Sequence, residues 1–380
     1  MENKAIRNNK ARDVKLDIIR IFSLFCVIAV HFFLNSGFYN EIVIGKKMYI
    51  MSMFRSFFII CVPMFIILTG YLVNGKKLSK KYYKGIIKVL IIYLICSMIY
   101  SLFIKYYLKE DMNIGIFFKN LGLYQGTMYS WYIEMYIGLF LLIPFFNIII
   151  NNLKDKREYQ ILLITLIALI GLPNVLNIFN FSSLEWWKNP SLSNNYTKIV
   201  PAWWSAMYPP FYYFLGAYLK KYPIKLKTIL NVFLLIIFTI IDGTFNFYRS
   251  FNVKYIRGVW NNYGSLFVII ETFLVFNLLL NIRFKKESNI RNNTLKVLSN
   301  ACLGAYLISC MYDKIIYTKL ETLIPIVQDR FVYAPIVVLL SFTCSIVTSI
   351  IINILNELIF RFIMKIRQKF NINSTLSEGA

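Results

Sequence analysis

Apolar runs of roughly twenty residues recur along the chain, separated by short polar links rich in lysine. A helix of about 20 mostly apolar residues crosses a hydrocarbon core about 30 Å thick. By that measure ten segments are predicted to span a membrane, approximately 16–35, 53–73, 86–104, 129–150, 159–180, 203–219, 228–247, 262–282, 297–317 and 334–360. None alternates with a period of two, which disfavours a β-barrel. The apolar stretch Ile114–Leu123 is too short to span and is predicted to be an interfacial turn. The first run follows a basic N-terminus, as a signal peptide would. However, it contains Arg20 and His31 and lacks a small-residue cleavage site, so it is predicted to be retained. The predicted fold class is therefore all-α, a polytopic membrane helix bundle of about ten transmembrane helices.

Composition agrees with this pattern. The 380 residues are 58% hydrophobic and only 16% charged, with a mean hydropathy of +0.58. Soluble domains average about 45–50% apolar and about 25% charged residues, so a soluble enzyme is excluded. The net charge of +24 would suggest nucleic acid in a soluble chain. Here cytoplasmic loops account for it, and no nucleic-acid partner is expected. With the N-terminus inside, the predicted inner segments carry twice as many Lys and Arg as the outer ones. Both termini are thus expected in the cytoplasm. The expected organisation is a basic tail over 1–15, a single transmembrane domain over 16–365 and a short tail over 366–380. Repeats, low-complexity tracts and a second soluble domain are not evident. The abundance of Ile, Lys and Asn suggests an AT-rich, bacterial genome, hence a multi-pass protein of a bacterial plasma membrane.

Cys26, Cys61, Cys96, Cys302, Cys310 and Cys344 all fall in apolar runs with no CxxC spacing. They are expected as buried small hydrophobes, with neither a disulfide framework nor a metal site. A metal site would also want imidazoles, and His31 is the only histidine.

His31 and Arg20 share the first helix. Eleven residues at 100° each fall 20° short of three turns, so both side chains occupy one face, about 16 Å apart along the axis. Asp17 lies one turn before Arg20, within ion-pair reach. Ionisable groups inside a membrane are costly and point to function. Arg20 could instead snorkel to the cytoplasmic headgroups, and His31 could be a buried, hydrogen-bonded imidazole. An imidazole also has the pKa that suits a general base acting on a hydroxyl. Among the acids near or within helices, Glu134, Glu271, Asp242 and Asp313 are each candidates to orient His31. Glu134 is favoured because its depth matches that of His31, with pairing to Arg55 as the competing reading. In the outer loop 181–202, Trp186 and Trp187 are expected to cluster with Trp203 and Trp204, as an interfacial aromatic belt or as a platform for sugar rings.

Leu16-Asp17-Ile-Ile-Arg20, followed ten residues later by His31, resembles the first-helix signature of the acyltransferase-3 family. Val62-Pro63-Met-Phe65-Ile-Ile-Leu-Thr69-Gly70-Tyr71-Leu72 is similar to that family's second-helix motif. Ser130-Trp131-Tyr132 with Ile137-Gly138-Leu139-Phe140-Leu141-Leu142-Ile143-Pro144 resembles a third. Phe211–Leu219 and Leu303-Gly304-Ala305-Tyr306-Leu307-Ile308 match two more, so the resemblance covers roughly 16–313 in order. Two departures stand out. Where many members carry two arginines before the third helix, this chain has Lys80-Lys81-Tyr-Tyr-Lys84-Gly-Ile-Ile-Lys88, which keeps charge but loses bidentate recognition. Where many carry a histidine in the penultimate helix, it has Ser309.

The resemblance implies an integral membrane O-acyltransferase that transfers an acyl group, most simply acetyl, from cytoplasmic acyl-CoA to a hydroxyl of an exported envelope glycan or polysaccharide. It implies acetyl-CoA or another acyl-CoA as cosubstrate and no permanently bound cofactor. Arg20, Lys84 and Lys88 would meet the donor. His31, with Arg20 and Glu134, would carry the chemistry, supported by Asp17, while Trp131, Tyr132 and Tyr306 would meet the acceptor. Membrane lipid and a second copy of the chain are further expected partners. The alternative is a lipid-linked sugar flippase or a proton-coupled transporter, which the lone membrane histidine and outer aromatics would also suit. Against it stands the lack of symmetry between the two halves. A polysaccharide polymerase would want a larger outer loop than the roughly twenty residues here.

Overall fold

The computed structural model of the protein describes residues 13–192, 195–284 and 288–377. Most of the predicted basic tail and residues 378–380 lie outside that range. Among the described residues the principal elements are α1 (Val14–Asn35), α2 (Gly45–Phe58), α3 (Cys61–Val73), α4 (Ile86–Phe103), α5 (Ile114–Gly122), α6 (Trp131–Asn152), α7 (Lys156–Ile170), α8 (Tyr208–Lys221), α9 (Thr228–Arg249), α10 (Leu266–Leu280), α11 (Asn289–Leu323) and α12 (Ala334–Ser377). The only β-pairing among them is two isolated bridges, Ile42 with Lys254 and Val43 with Phe251.

Nine stretches of the described chain are helical, long and apolar enough to cross a membrane. The protein is a multi-pass membrane helix bundle. The segment predicted over 203–219 becomes α8, only 14 residues long, because two prolines delay its start and Pro223 follows its end. Proline is tolerated in a helix's first turn, where its missing N–H has no intrahelical partner, but restricts the residue before it. Every residue of α8 from Pro210 to Leu219 is buried. Tyr208 packs on Tyr263, at the His31 end of the bundle. Lys220 sits 4.5 Å from the ring centre of Tyr71, at the opposite end of α3. The short helix therefore runs the same way as α3, enclosed by its neighbours, and length alone would miss it as a tenth pass.

Where α3 and α8 cross, Gly70 and Gly216 let the two backbones touch. A Cβ on Gly216 would lie 2.0 Å from the carbonyl oxygen of Ile67, and one on Gly70 2.0 Å from that of Tyr213. Small residues drive close packing of membrane helices, where no hydrophobic gain separates helix from lipid. Gly216→Ala is expected to destabilise the bundle by about 2 kcal/mol or more, since backbone must move to relieve the overlap. A thermal melt in detergent with an unchanged midpoint would contradict this crossing.

The second predicted span begins earlier than 53, at Gly45, and is broken between α2 and α3. Proline at position 63 has no N–H to give the carbonyl of Ile59, and its ring crowds that oxygen, so the helix is interrupted there. Ile59, Cys61 and Val62 beside the break line a cavity described below. Ile114–Leu123, predicted as a turn, forms the nine-residue α5 because Asn113 caps it by accepting from the N–H of Ile116 at 2.9 Å. The predicted tail over 366–380 continues α12 as helix to Ser377. α1 lies at the centre of the bundle and packs against α2, α3, α10, α11 and α12. All six cysteines are free.

Candidate active site

One stripe of α1 and one stripe of α11 build the site. On α1, Arg20, Val27 and His31 recur at spacings of seven and four. On α11, Ser299, Cys302, Tyr306 and Asp313 follow the same rule. Such spacings return a helix to nearly the same face, so the two packed helices meet along these rows. At one end the Arg20 Nη1 donates to Ser299 Oγ at 2.6 Å. At the other, His31 Nδ1 lies 3.3 Å from Asp313 Oδ2.

Two cavities lie back to back along these rows. The inner one, on the side of the Lys-rich connections, has a volume of about 180 Å³ and is lined by Arg20, Phe65, Thr69, Val89, Tyr132 and Tyr136 among others. The outer one, of about 510 Å³, is lined by His31, Tyr39, Arg55, Trp131, Arg257 and Tyr263 among others. Val27, Val62 and Tyr306 line both, so a wall three side chains wide separates the arginine compartment from the histidine compartment.

The imidazole of His31 is held on several sides. Its ring stacks on Tyr129 with centroids 3.8 Å apart and planes 29° from parallel. Asn35, one turn on, donates both to the His31 carbonyl at 2.9 Å and to Tyr129 Oη at 3.1 Å. Asp313 is buried and accepts from Tyr129 Oη at 2.8 Å and from Ser341 Oγ at 2.9 Å. Both of its oxygens are thereby oriented, one of them towards Nδ1. At 3.3 Å this is an electrostatic contact rather than a hydrogen bond, and Nδ1 makes no hydrogen bond to the described residues. A carboxylate on the Nδ1 side favours the tautomer with its proton there, which leaves the Nε2 lone pair open to accept a proton. Tyr306 ties the wall to this network by donating to the Tyr129 carbonyl at 2.5 Å.

Arg20 is only partly buried. Besides Ser299 it lies 3.8 Å from the carboxylate of Asp17, which is itself buried. The pairing with Asp17 holds the guanidinium at the cavity rather than in the headgroups. Lys84 and Lys88 are exposed and do not line the inner cavity, although Val89, next to Lys88, does.

Several predicted placements are corrected. Glu134 is exposed and is not the acid at His31. It lies about 100° round α6 from the buried Ile133, on the exposed side of the helix, and Asp313 takes the position instead. The signal for Asp313 was present, since it follows the motif residue Tyr306 by seven positions. Glu271 is buried beside Asp242, and Arg55 donates to Tyr39 Oη and to the Asn261 carbonyl, both at 3.0 Å, rather than pairing with Glu134. Tyr132, expected at the acceptor side, lines the inner cavity with Arg20. Trp131 lines the outer cavity, and Tyr306 divides the two. The outer aromatics also separate. Trp186 is buried against Arg249, whose guanidinium lies 4.8 Å from its ring and 4.6 Å from that of Trp260. Trp203 and Trp204 stay exposed, and the rings that Arg249 meets are those of Trp186, Tyr196 and Trp260.

Among the described residues, no group of three His, Cys, Asp or Glu side chains is placed to hold a metal. The model of the acyltransferase-3 family, described as an acyltransferase domain, matches residues 13–350. No curated protein and no solved structure matches the chain. The matched range takes in α1, α11, both cavities and the His31–Asp313 pair, and this chain belongs to the acyltransferase-3 family.

Proposed function

We propose that the protein transfers an acetyl group, or a similar small acyl group, from cytoplasmic acyl-CoA to a hydroxyl of an exported envelope glycan in a bacterial plasma membrane. The observation that carries this reading is the pair of back-to-back cavities, one holding Arg20 and the other His31, with Val27, Val62 and Tyr306 lining both. Donor phosphates and a thioester must be met at two depths, and the roughly 16 Å between Arg20 and His31 along α1 suits that need.

In this reading both termini are cytoplasmic. The donor's phosphates meet Arg20, with Lys84 and Lys88 as point charges beyond the rim. Its thioester arm enters between Tyr132 and Tyr136 and displaces the three-residue wall. The acceptor occupies the outer cavity beside Trp131. His31 Nε2 takes the hydroxyl proton as the oxygen attacks the thioester carbon. The carbon–sulfur bond then breaks, and the imidazolium returns the proton to the departing thiolate, giving ester and free CoA. Asp313 stabilises the transient imidazolium and keeps the ring in register.

The test uses purified protein in lipid nanodiscs. Acetyl-CoA is expected to raise the melting temperature of the wild type. Arg20→Ala is expected to weaken that binding about tenfold or more, the scale of a lost charge-assisted contact. Folded wild-type protein that binds no acyl-CoA and releases no CoA thiol would overturn the proposal and favour the carrier reading.

A further inference from the structure

The outer cavity has an excess of positive charge that acyl transfer to a neutral sugar does not require. Among the described residues, two guanidiniums line it, Arg55 and Arg257, and no carboxylate does. Arg55 is buried and partly offset by Asp242. Arg257 is exposed, and among the described residues it has no carboxylate within 4.0 Å. Its guanidinium carbon sits 3.8 Å from the centre of the Tyr39 ring. Stacking of this kind fixes the plane while leaving the N–H edges free for a bidentate anion.

The loop that carries Arg257 is built to hold it in place. Val43 N–H donates to the Val253 carbonyl at 2.8 Å, and Asn252 N–H to the Val43 carbonyl at 3.1 Å. Asn261 accepts from the Gly258 N–H at 3.2 Å and donates to the Ile256 carbonyl at 2.8 Å, closing a ring around Arg257. A Cβ on Gly258 would lie 2.2 Å from Trp260, so the fold needs glycine beside the arginine.

Arg257, Gly258 and Val259 also line an adjoining cavity of about 430 Å³, with Asn174, Tyr196, Ser205 and Trp260 on its walls and, among the described residues, again no carboxylate. Arg257 thus stands at the junction of two compartments, one holding the base and one lined by amide, hydroxyl and indole groups.

We infer that the acceptor is an anionic glycan, with a carboxylate or phosphate read by Arg257 at this junction and a neighbouring unit seated in the adjoining cavity. The inference rests on the reading of the outer cavity as the acceptor site. Uronate and phosphodiester present the same oxygen fork to a guanidinium, so both chemistries are tested.

The experiment is calorimetric titration of the protein in zwitterionic-lipid nanodiscs with three oligomers of equal length: a neutral N-acetylglucosamine oligomer, a galacturonate oligomer and a glycerol phosphate oligomer. At least one anionic oligomer is expected to bind about tenfold or more tightly than the neutral one, with the preference shrinking as salt is raised. R257Q is expected to abolish the preference, whereas K254Q, which removes a like charge from the same loop outside both cavities, keeps it. Equal or tighter binding of the neutral oligomer, a preference that survives R257Q, or no binding of either anion at millimolar concentration would each overturn the inference. Acetyl-CoA binding by the same nanodiscs separates the two failures. If the donor binds and the anions do not, the anion inference falls while the acyltransferase reading stands; the same control shows that R257Q is folded.

Discussion

His31→Ala is expected to lower the rate of acyl transfer by about 10³-fold or more, equivalent to about 4 kcal/mol of transition-state stabilisation. Acetyl-CoA binding should persist, because Arg20 lies about 16 Å away along α1 and His31 does not line the inner cavity. His31→Gln keeps much of the size and a hydrogen-bonding end but cannot accept and return a proton in the needed range, so it should be nearly as inactive. The measurement is release of CoA thiol in the presence of an acceptor, at matched protein levels in nanodiscs. Transfer within tenfold of wild type by either variant would remove the general-base role.

Asp313→Asn is the second large effect, expected at about 10²-fold in kcat with KM for acetyl-CoA unchanged. Asparagine keeps the shape: with its amide nitrogen in the Oδ2 position, Tyr129 Oη can turn to accept from it while Ser341 Oγ goes on donating to the remaining carbonyl oxygen. The negative charge is lost, and an amide N–H facing Nδ1 would favour the proton on Nε2, the wrong nitrogen for a base. The split between kcat and KM marks positioning, because a general loosening of the bundle would weaken donor binding as well. Asp313→Ala would add a stability defect by leaving Tyr129 Oη, Ser341 Oγ and the imidazole without their buried partner. A kcat unchanged in Asp313→Asn would leave the carboxylate a structural group only.

Much of the candidate site was legible in the chain because each of its two rows of side chains lies on a single helix. Arg20 and His31 are bound to share a face by the helical angle alone, whatever packs on it. Ser299, Tyr306 and Asp313 obey the same rule, so the acid could have been found by walking seven positions from Tyr306. Depth pointed instead to Glu134, and depth carries no azimuth: Ile133 faces the bundle and Glu134 faces away. Tyr132 lines the cavity of Arg20 rather than that of His31 for the same reason, since its place near the outer end of its motif does not tell which cavity its ring enters.

What the sequence by itself determined is the membrane bundle and its chemistry-bearing first helix, because apolar runs long enough to cross a bilayer admit one backbone solution, the helix, and because the 3.6-residue repeat sets which side chains share a face. What only the tertiary structure decided is which helices meet. The glycine crossing of α3 with the short α8, the acid from α11 that reaches His31 and the loop that brings Arg257 into the same cavity all join residues far apart in the chain. Such contacts depend on packing between faces, and no local propensity along a single chain encodes them.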